Sequence, residues 1–225
     1  MVENVNSGTA PRAPFLFSAS GHHEDGYGMN DDPRARLRRE LRQRRRELPA
    51  AARIAAADAL AERLLALPLA PASGFVAGYW AGDGEIALHR WQLRLPGTLT
   101  YCLPVLAEGG HLRFAPWQAG QALTANRFGI PEPALAPDAL LSPEDMAMVV
   151  LPLVGFDAAG GRLGMGGGWY DRSFAFRRGQ VAPPVLVGAA FSVQQVEPAL
   201  PCEAWDVPLD AVCTELATFL PPAHA

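Results

Sequence analysis

The chain has 225 residues, 49% of them hydrophobic, which suits one domain with a sizeable buried core. A formal net charge of −4 argues against a whole-surface nucleic-acid or membrane binder, and no apolar run approaches the roughly 18 residues that span a bilayer. Cys102, Cys202 and Cys213 show neither paired nor Cys/His ligand spacing, so a disulfide framework and a structural zinc site are excluded, and their usage fits a reducing cytoplasm. The sequence contains no lysine, and all 19 basic residues are arginine. Schiff-base chemistry, a P-loop lysine and a lysine general base are thereby ruled out. Phosphate binding falls to arginine forks, backbone N–H groups and metal. An arginine excess of this kind is expected from a GC-biased genome.

Residues 1–33 are rich in Gly, Ser, Asn, Asp and Pro, lack the pattern of a signal peptide, and are expected to form a disordered leader. The body, residues 34–220, reads as a single domain. Residues 34–48 suit a helix with Leu37, Leu41 and Leu48 on one face, ended by Pro49. A second helix is expected over 51–67, with Ile54, Leu60, Leu64 and Leu65 apolar. A buried strand at 74–80, a helix near 86–95 and a strand at 99–105 form a β-α-β passage. Residues 111–117 suit another strand, and the following stretch to about residue 143 is irregular. Residues 146–154 are continuously apolar, which predicts a central, parallel strand. A helix over 169–178 and strands at 185–191 and 209–214 complete an α/β pattern with a mostly parallel central sheet.

Between that central strand and the 169–178 helix lies Arg162-Leu163-Gly164-Met165-Gly166-Gly167-Gly168-Trp169-Tyr170-Asp171. Four glycines in five positions let the backbone turn its N–H groups towards an anion, and the helix start would add a positive dipole end. Arg162 offers a fork, and Asp171 a carboxylate for a magnesium that bridges phosphate oxygens. Trp169 breaks a dinucleotide fingerprint and the Gly-Lys-Ser/Thr end of a P-loop is missing. A flexible turn is the plain alternative. Eight arginines fall between Arg34 and Arg46; they suit a solvated helix face or a nucleic-acid patch. Arg34 and Arg38 share a face and could grip one anion. Glu85, past the end of the 74–80 strand, could read a substrate N–H or lie on the surface. His89 and His111 fit no triad or metal pattern and read as structural.

The block Leu151-Pro-Leu-Val-Gly-Phe-Asp157 followed by the glycine motif resembles the signature of the 5-formyltetrahydrofolate cyclo-ligase (methenyltetrahydrofolate synthetase) family. Residues 34–48, Gly78-Tyr-Trp80 through Glu85-Ile86, Leu103-Pro-Val105, Phe128-Gly-Ile-Pro-Glu-Pro133 and 200–215 are similar to further family segments in the same order. The sequence departs from the usual pattern at Arg34 (commonly lysine), Met165 and Trp169. The resemblance implies a three-layer α/β/α sandwich like that of sugar-phosphate isomerases and deaminases. It also implies ATP-dependent closure of 5-formyltetrahydrofolate to 5,10-methenyltetrahydrofolate. Arg34, Arg38 and Arg162 to Tyr170 would contact ATP, with Arg162, Arg38 and Tyr170 catalytic. Trp80, Glu85, Gly166, Gly168 and Trp169 would contact the folate, and Asp171 and Asp206 would hold Mg2+. The expected partners are a reduced folate and ATP, without nucleic acid or membrane, for a cytoplasmic monomer. A sugar-phosphate isomerase or deaminase on the same fold, an RNA-associated module using the arginine helix, and an inactive family member are the alternatives.

Overall fold

The computed structural model describes residues 32–221, all within one unit, Asp31–Ala225. The leader expected over 1–33 lies outside the described residues except for Asp32 and Pro33, which belong to a helix start. In chain order the elements are α1 (Pro33–Arg46), α2 (Ala50–Leu65), β1 (Gly74–Ala77), α3 (His89–Gln92), β2 (Leu99–Leu106) and β3 (Leu112–Pro116). Then come β4 (Leu123–Ala125), β5 (Pro131–Pro133), β6 (Met146–Pro152), β7 (Gly155–Phe156) and β8 (Arg162–Leu163). The chain closes with α4 (Trp169–Ser173), β9 (Val185–Ala189), β10 (Ala211–Cys213) and β11 (Thr218–Phe219). Asp32 caps α1, its Oδ1 accepting the Arg34 N–H at 3.0 Å, and Pro33 sits at the first helical position, where its missing N–H is no loss. Among the described residues no helix is long and apolar enough to cross a membrane.

A seven-stranded sheet runs in the order β11-β10-β9-β6-β1-β2-β3. The inner pairs are parallel, and β11 and β3 pair antiparallel at the two edges. The expectation that residues 146–154 form the central strand is met by β6, fourth of seven. Alternation along the strands divides the core into two faces. Val76, Leu103, Met148, Val150, Val187 and Cys213 pack with Leu60 and Leu64 of α2 and Trp91 of α3. Ala77, Cys102, Val149, Leu151, Leu186 and Val212 pack with Phe114, Phe156 and Phe174. The alternation breaks once. Phe75 pairs with Met146 but Val76 with Met148, so a bulge at Ala147 sends the two methionines to opposite faces.

Several expected elements are shorter. The 86–95 helix shrinks to α3, because residues 86–88 lie outside the helix with Ile86 and Leu88 buried in the core. The 74–80 strand leaves the sheet after Gly78, whose N–H still reaches Cys102 O at 3.1 Å. The 169–178 helix breaks at Phe174 (φ −110°) into a separate 3-10 turn, Ala175–Arg178. The outer layer on this face is therefore thin, completed by phenylalanine rings. Arginine staples hold the connections. Arg53 donates to the carbonyls of Arg45, Arg46 and Leu48, closing the end of α1. Buried Arg177 donates to Pro184 O and Gln180 O and grips both oxygens of Asp210 at 2.8 Å. Burial pushes the Cys102 thiol up to about 12 and the Cys213 thiol to about 11, whereas Cys202 is exposed. Thiol alkylation of the native protein should label Cys202 alone, with the other two reacting only in denaturant. Labelling of Cys102 before unfolding would contradict the packing.

Candidate active site

The glycine loop is mounted on a hairpin instead of following the central strand directly. After β6 the Val154 N–H donates to Leu163 O at 2.8 Å, and β7 pairs with β8 through Gly155–Leu163 and Phe156–Arg162. Buried Asp157 shapes the turn: Oδ1 accepts from Ala159 and Gly161 at 2.9 and 2.8 Å, and Oδ2 from the Leu200 N–H at 2.9 Å. Leu163 packs with Leu41, Val154 and Leu200, seating α1 on the hairpin. A Cβ at Gly155 would lie 2.5 Å from Leu41 Cδ1, so a larger residue there would displace the buried Leu41 side chain. The side chain of Leu163 is thus in the core, and only its backbone faces the loop.

The loop, residues 164–168, is pinned at both ends. Arg38 Nε donates to Gly164 O at 2.9 Å, and Arg172 donates to Gly167 O at 2.8 Å and Gly110 O at 2.9 Å. Gly166 and Gly168 have φ of +94° and +66°, which L side chains rarely adopt. Among the described residues no acceptor takes the N–H of Met165, Gly166 or Gly167, so these donors suit an anion. The helix dipole expected behind them is a minor contribution, since α4 has only five residues.

Each candidate metal carboxylate is held by a candidate phosphate arginine. Arg162 is buried; it donates through Nη1 to Val207 O at 2.6 Å and through Nη2 to Asp171 Oδ1. Its fork is therefore engaged internally, with Val207 O and Asp171 as its partners. Burial lowers its pKa, opposed by Asp171 and Asp206. Asp171 Oδ1 also accepts the Val207 N–H at 3.1 Å, so the loop carrying Asp206 meets the start of α4. Arg34 donates two bonds of 3.3 Å to Asp206 Oδ2, with Glu203 at 3.8 Å. Arg34 and Arg38 thus point to neighbouring but different partners, and no shared anion is needed to explain them. The Nε of Arg34 is buried without an acceptor among the described residues. Asp171 Oδ2 and Asp206 Oδ1 accept no hydrogen bond there either, so each carboxylate keeps one oxygen without a partner among the described residues.

A second cluster lies beside the loop. Glu85 is half-buried, its Oε2 accepting the Gly82 N–H at 3.0 Å, and burial raises its pKa. Tyr170 stacks on Phe174, with centroids 6.4 Å apart. Burial first, then the charge of Glu85, pushes its phenol up, so it stays a hydrogen-bond donor. Tyr79 behaves likewise and donates to Ile86 O at 2.6 Å. Trp80 is exposed, edge-on to Trp117 at 6.0 Å. Met165 projects into solvent, and Trp169 meets Phe128 edge-on at 6.1 Å.

Sequence reasoning missed the hub that places Glu85. Asp83, with φ +48°, receives Arg42 at 2.6 Å, Arg45 at 2.7 Å, and Arg46. Arg45 is fully buried and also donates to Asp83 O and Leu153 O. The spacing Arg38, Arg42, Arg45 on one helical face was the available signal. Arg127 and Arg172 beside Trp169 carried none. The arginines of α1 are thus an internal scaffold more than a solvated face. His89 and His111 are exposed, which corrects their reading as structural.

An α/β fold that carries a glycine-rich anion loop, flanked by arginines and two carboxylates, defines a phosphate-handling enzyme class. Within that class, the model of the 5-formyltetrahydrofolate cyclo-ligase family matches residues 30–215, and the chain belongs to this family. Proteins named 5-formyltetrahydrofolate cyclo-ligase from Haemophilus influenzae and Escherichia coli K12 are similar to it. The first is 36% identical over 185 residues, covering 80% of this chain and 97% of the relative. The second is 37% identical over 178 residues, covering 77% and 96%. The solved structure of Aquifex aeolicus 5,10-methenyltetrahydrofolate synthetase superposes with a TM-score of 0.71 at 30% identity, covering 85% of this chain and 94% of that one.

Proposed function

We propose that this chain closes 5-formyltetrahydrofolate to 5,10-methenyltetrahydrofolate, with conversion of ATP to ADP and phosphate. The observation that carries the reading is the pinned glycine loop, its free N–H groups next to Arg38 and beside the Asp171–Val207 junction. In the reaction the γ-phosphoryl group passes to the N-formyl oxygen, making it a leaving group, and N10 then attacks the formyl carbon as phosphate departs. Such transfer needs positioning and charge neutralisation more than a covalent nucleophile. The loop N–H groups and Arg38 would bind the phosphates, and Arg162 would hold Asp171 and the 206–207 loop in place. Mg2+ bound by Asp171 and Asp206 would neutralise phosphate oxygens. Glu85 would accept hydrogen bonds from the pterin, with Trp80 as an apolar wall, and the Tyr170 phenol would donate.

The free cysteines suit the cytoplasm. An isomerase or deaminase reading is disfavoured because it needs a positioned general base, and the sequence supplies no lysine and, among the described residues, only the exposed His89 and His111 as histidines. An RNA-binding reading is disfavoured by the carboxylate and carbonyl partners of the α1 arginines.

The test is a continuous absorbance assay for methenyltetrahydrofolate with and without ATP. Product without ATP, or none with it, would refute the proposal. In the same assay Glu85→Gln should raise the folate KM about tenfold or more, the loss of a charge-assisted hydrogen bond, and leave the ATP KM nearly unchanged. An unaltered folate KM would remove Glu85 from the site.

A further inference from the structure

Arg127 lies in the tight turn between β4 and β5, where Asn126 Oδ1 accepts the N–H groups of Phe128 at 2.9 Å and Ile130 at 3.1 Å. Asn126 in turn donates to Glu132, which also accepts the Leu106 N–H, so the turn is tied to the main sheet. The Arg127 guanidinium carbon sits 5.1 Å from the Phe128 ring centroid and 5.3 Å from that of Trp169. Trp169 is the residue that ends the glycine loop. Among the described residues no carboxylate pairs with Arg127, and its side chain is exposed. A guanidinium held against two rings loses little entropy on binding and keeps its planar edge of N–H donors free. That is an arrangement for gripping a carboxylate or phosphate with two parallel bonds.

The two halves of the loop distinguish which anion. A Cβ at Gly166 would lie 3.6 Å from Arg38 Cζ, and Gly164 is bonded to Arg38, so the first half faces the α1 arginines. The second half, Gly167 to Trp169, faces Arg172 and Arg127. Arg172 is occupied by carbonyls of Gly110 and Gly167. Among the described residues facing this half of the loop, Arg127 is therefore the cation open to an anionic group other than the one beside Arg38. The substrate under the reading above carries one such group, the glutamate carboxylates of the folate tail.

We propose, resting on that reading, that Arg127 recognises the glutamate carboxylate of the reduced folate, with Phe128 and Trp169 as its platform. The test is calorimetric binding of 5-formyltetrahydrofolate and of 5-formyltetrahydropteroate, which lacks the glutamate, to the wild type and Arg127→Ala. Wild type should favour the folate by about tenfold or more, and the variant should bring the two ligands within about twofold. Pteroate and ATP affinity should not change, and Arg127→Lys, which keeps the charge without the fork, should retain part of the preference. Three results would overturn the proposal: equal weakening of both ligands, weakening of ATP, or a folate preference that survives in Arg127→Ala. The activity reading fails separately, through absence of methenyltetrahydrofolate from wild type. If wild type binds neither ligand, both fall.

Discussion

Asp171→Asn should lower turnover by about a hundredfold or more at any magnesium concentration while leaving the protein folded. The atoms of this carboxylate have different duties. Oδ1 accepts from Arg162 and from the Val207 N–H, and these contacts join the start of α4 to the 206–207 loop. Oδ2 accepts nothing among the described residues, so it is the oxygen available to a cation. Asparagine can keep Oδ1 as an acceptor while an NH2 group replaces Oδ2, deleting the proposed metal ligand but not the junction. Arg162 then faces a neutral acceptor, which costs about 1–2 kcal/mol of stability. Asp206→Asn should produce a similar but smaller defect, its Oδ2 being held by Arg34 and the Glu203 N–H in the same manner. Measuring kcat across a magnesium titration beside thermal melts separates the alternatives. Normal magnesium dependence with a lower melting point would mean that Asp171 is only a structural clasp.

Asp83→Ala should destabilise the protein by about 3 kcal/mol, because it strands the buried Arg45 guanidinium without its carboxylate. The estimate sits at the low end for a buried pair, since the Asp83 side chain is 24% exposed. For a chain of this size the melting temperature should fall by about 6–12 °C. Burial pushes the Asp83 carboxyl up, but hydrogen bonds from Arg42, Arg46 and Arg45 outweigh it and hold it well below the usual carboxylate range. A depressed folded pKa gives stability that is present above the unfolded value, about 4, and lost as the pH falls towards the folded one. Wild-type melting temperature should therefore decline on acidification below about pH 4, and Asp83→Asn should flatten that decline. Melts of the three proteins from pH 2 to 7 check both statements. An Asp83→Ala protein as stable as wild type would show that Arg45 finds other partners.

The sheet was legible because apolar runs of strand length have few alternatives once buried on both sides, as in residues 146–154. Helix ends were less so. Phe174 fits a helical pattern, yet its ring is claimed by Phe114 and Tyr170, and the helix breaks there. The hairpin β7–β8 escaped because Gly155-Phe156 and Arg162-Leu163 are too short for any periodic signal. At the site, the glycine loop announced itself by composition, and residues 78–86 by resemblance. What stayed hidden were partnerships across long stretches of chain: Asp83 with Arg45, and Arg162 with Asp171 and Val207. Such pairings depend on where the folded backbone passes, and a guanidinium reads the same in sequence whether it faces water or a carbonyl.

The arginine staples bear on how this chain can evolve. The chain carries no lysine, and arginine and lysine are not interchangeable where a guanidinium spans several acceptors. At Arg177 one side chain reaches Pro184 O, Gln180 O and both oxygens of Asp210, in directions set by a rigid planar fork. Arg53 spans three carbonyls in the same manner. A lysine places a single ammonium at the end of a flexible stem and cannot span such targets together. Lysine should therefore replace arginine at little cost at surface positions such as Arg36 and Arg90, and at the greatest cost at these staples.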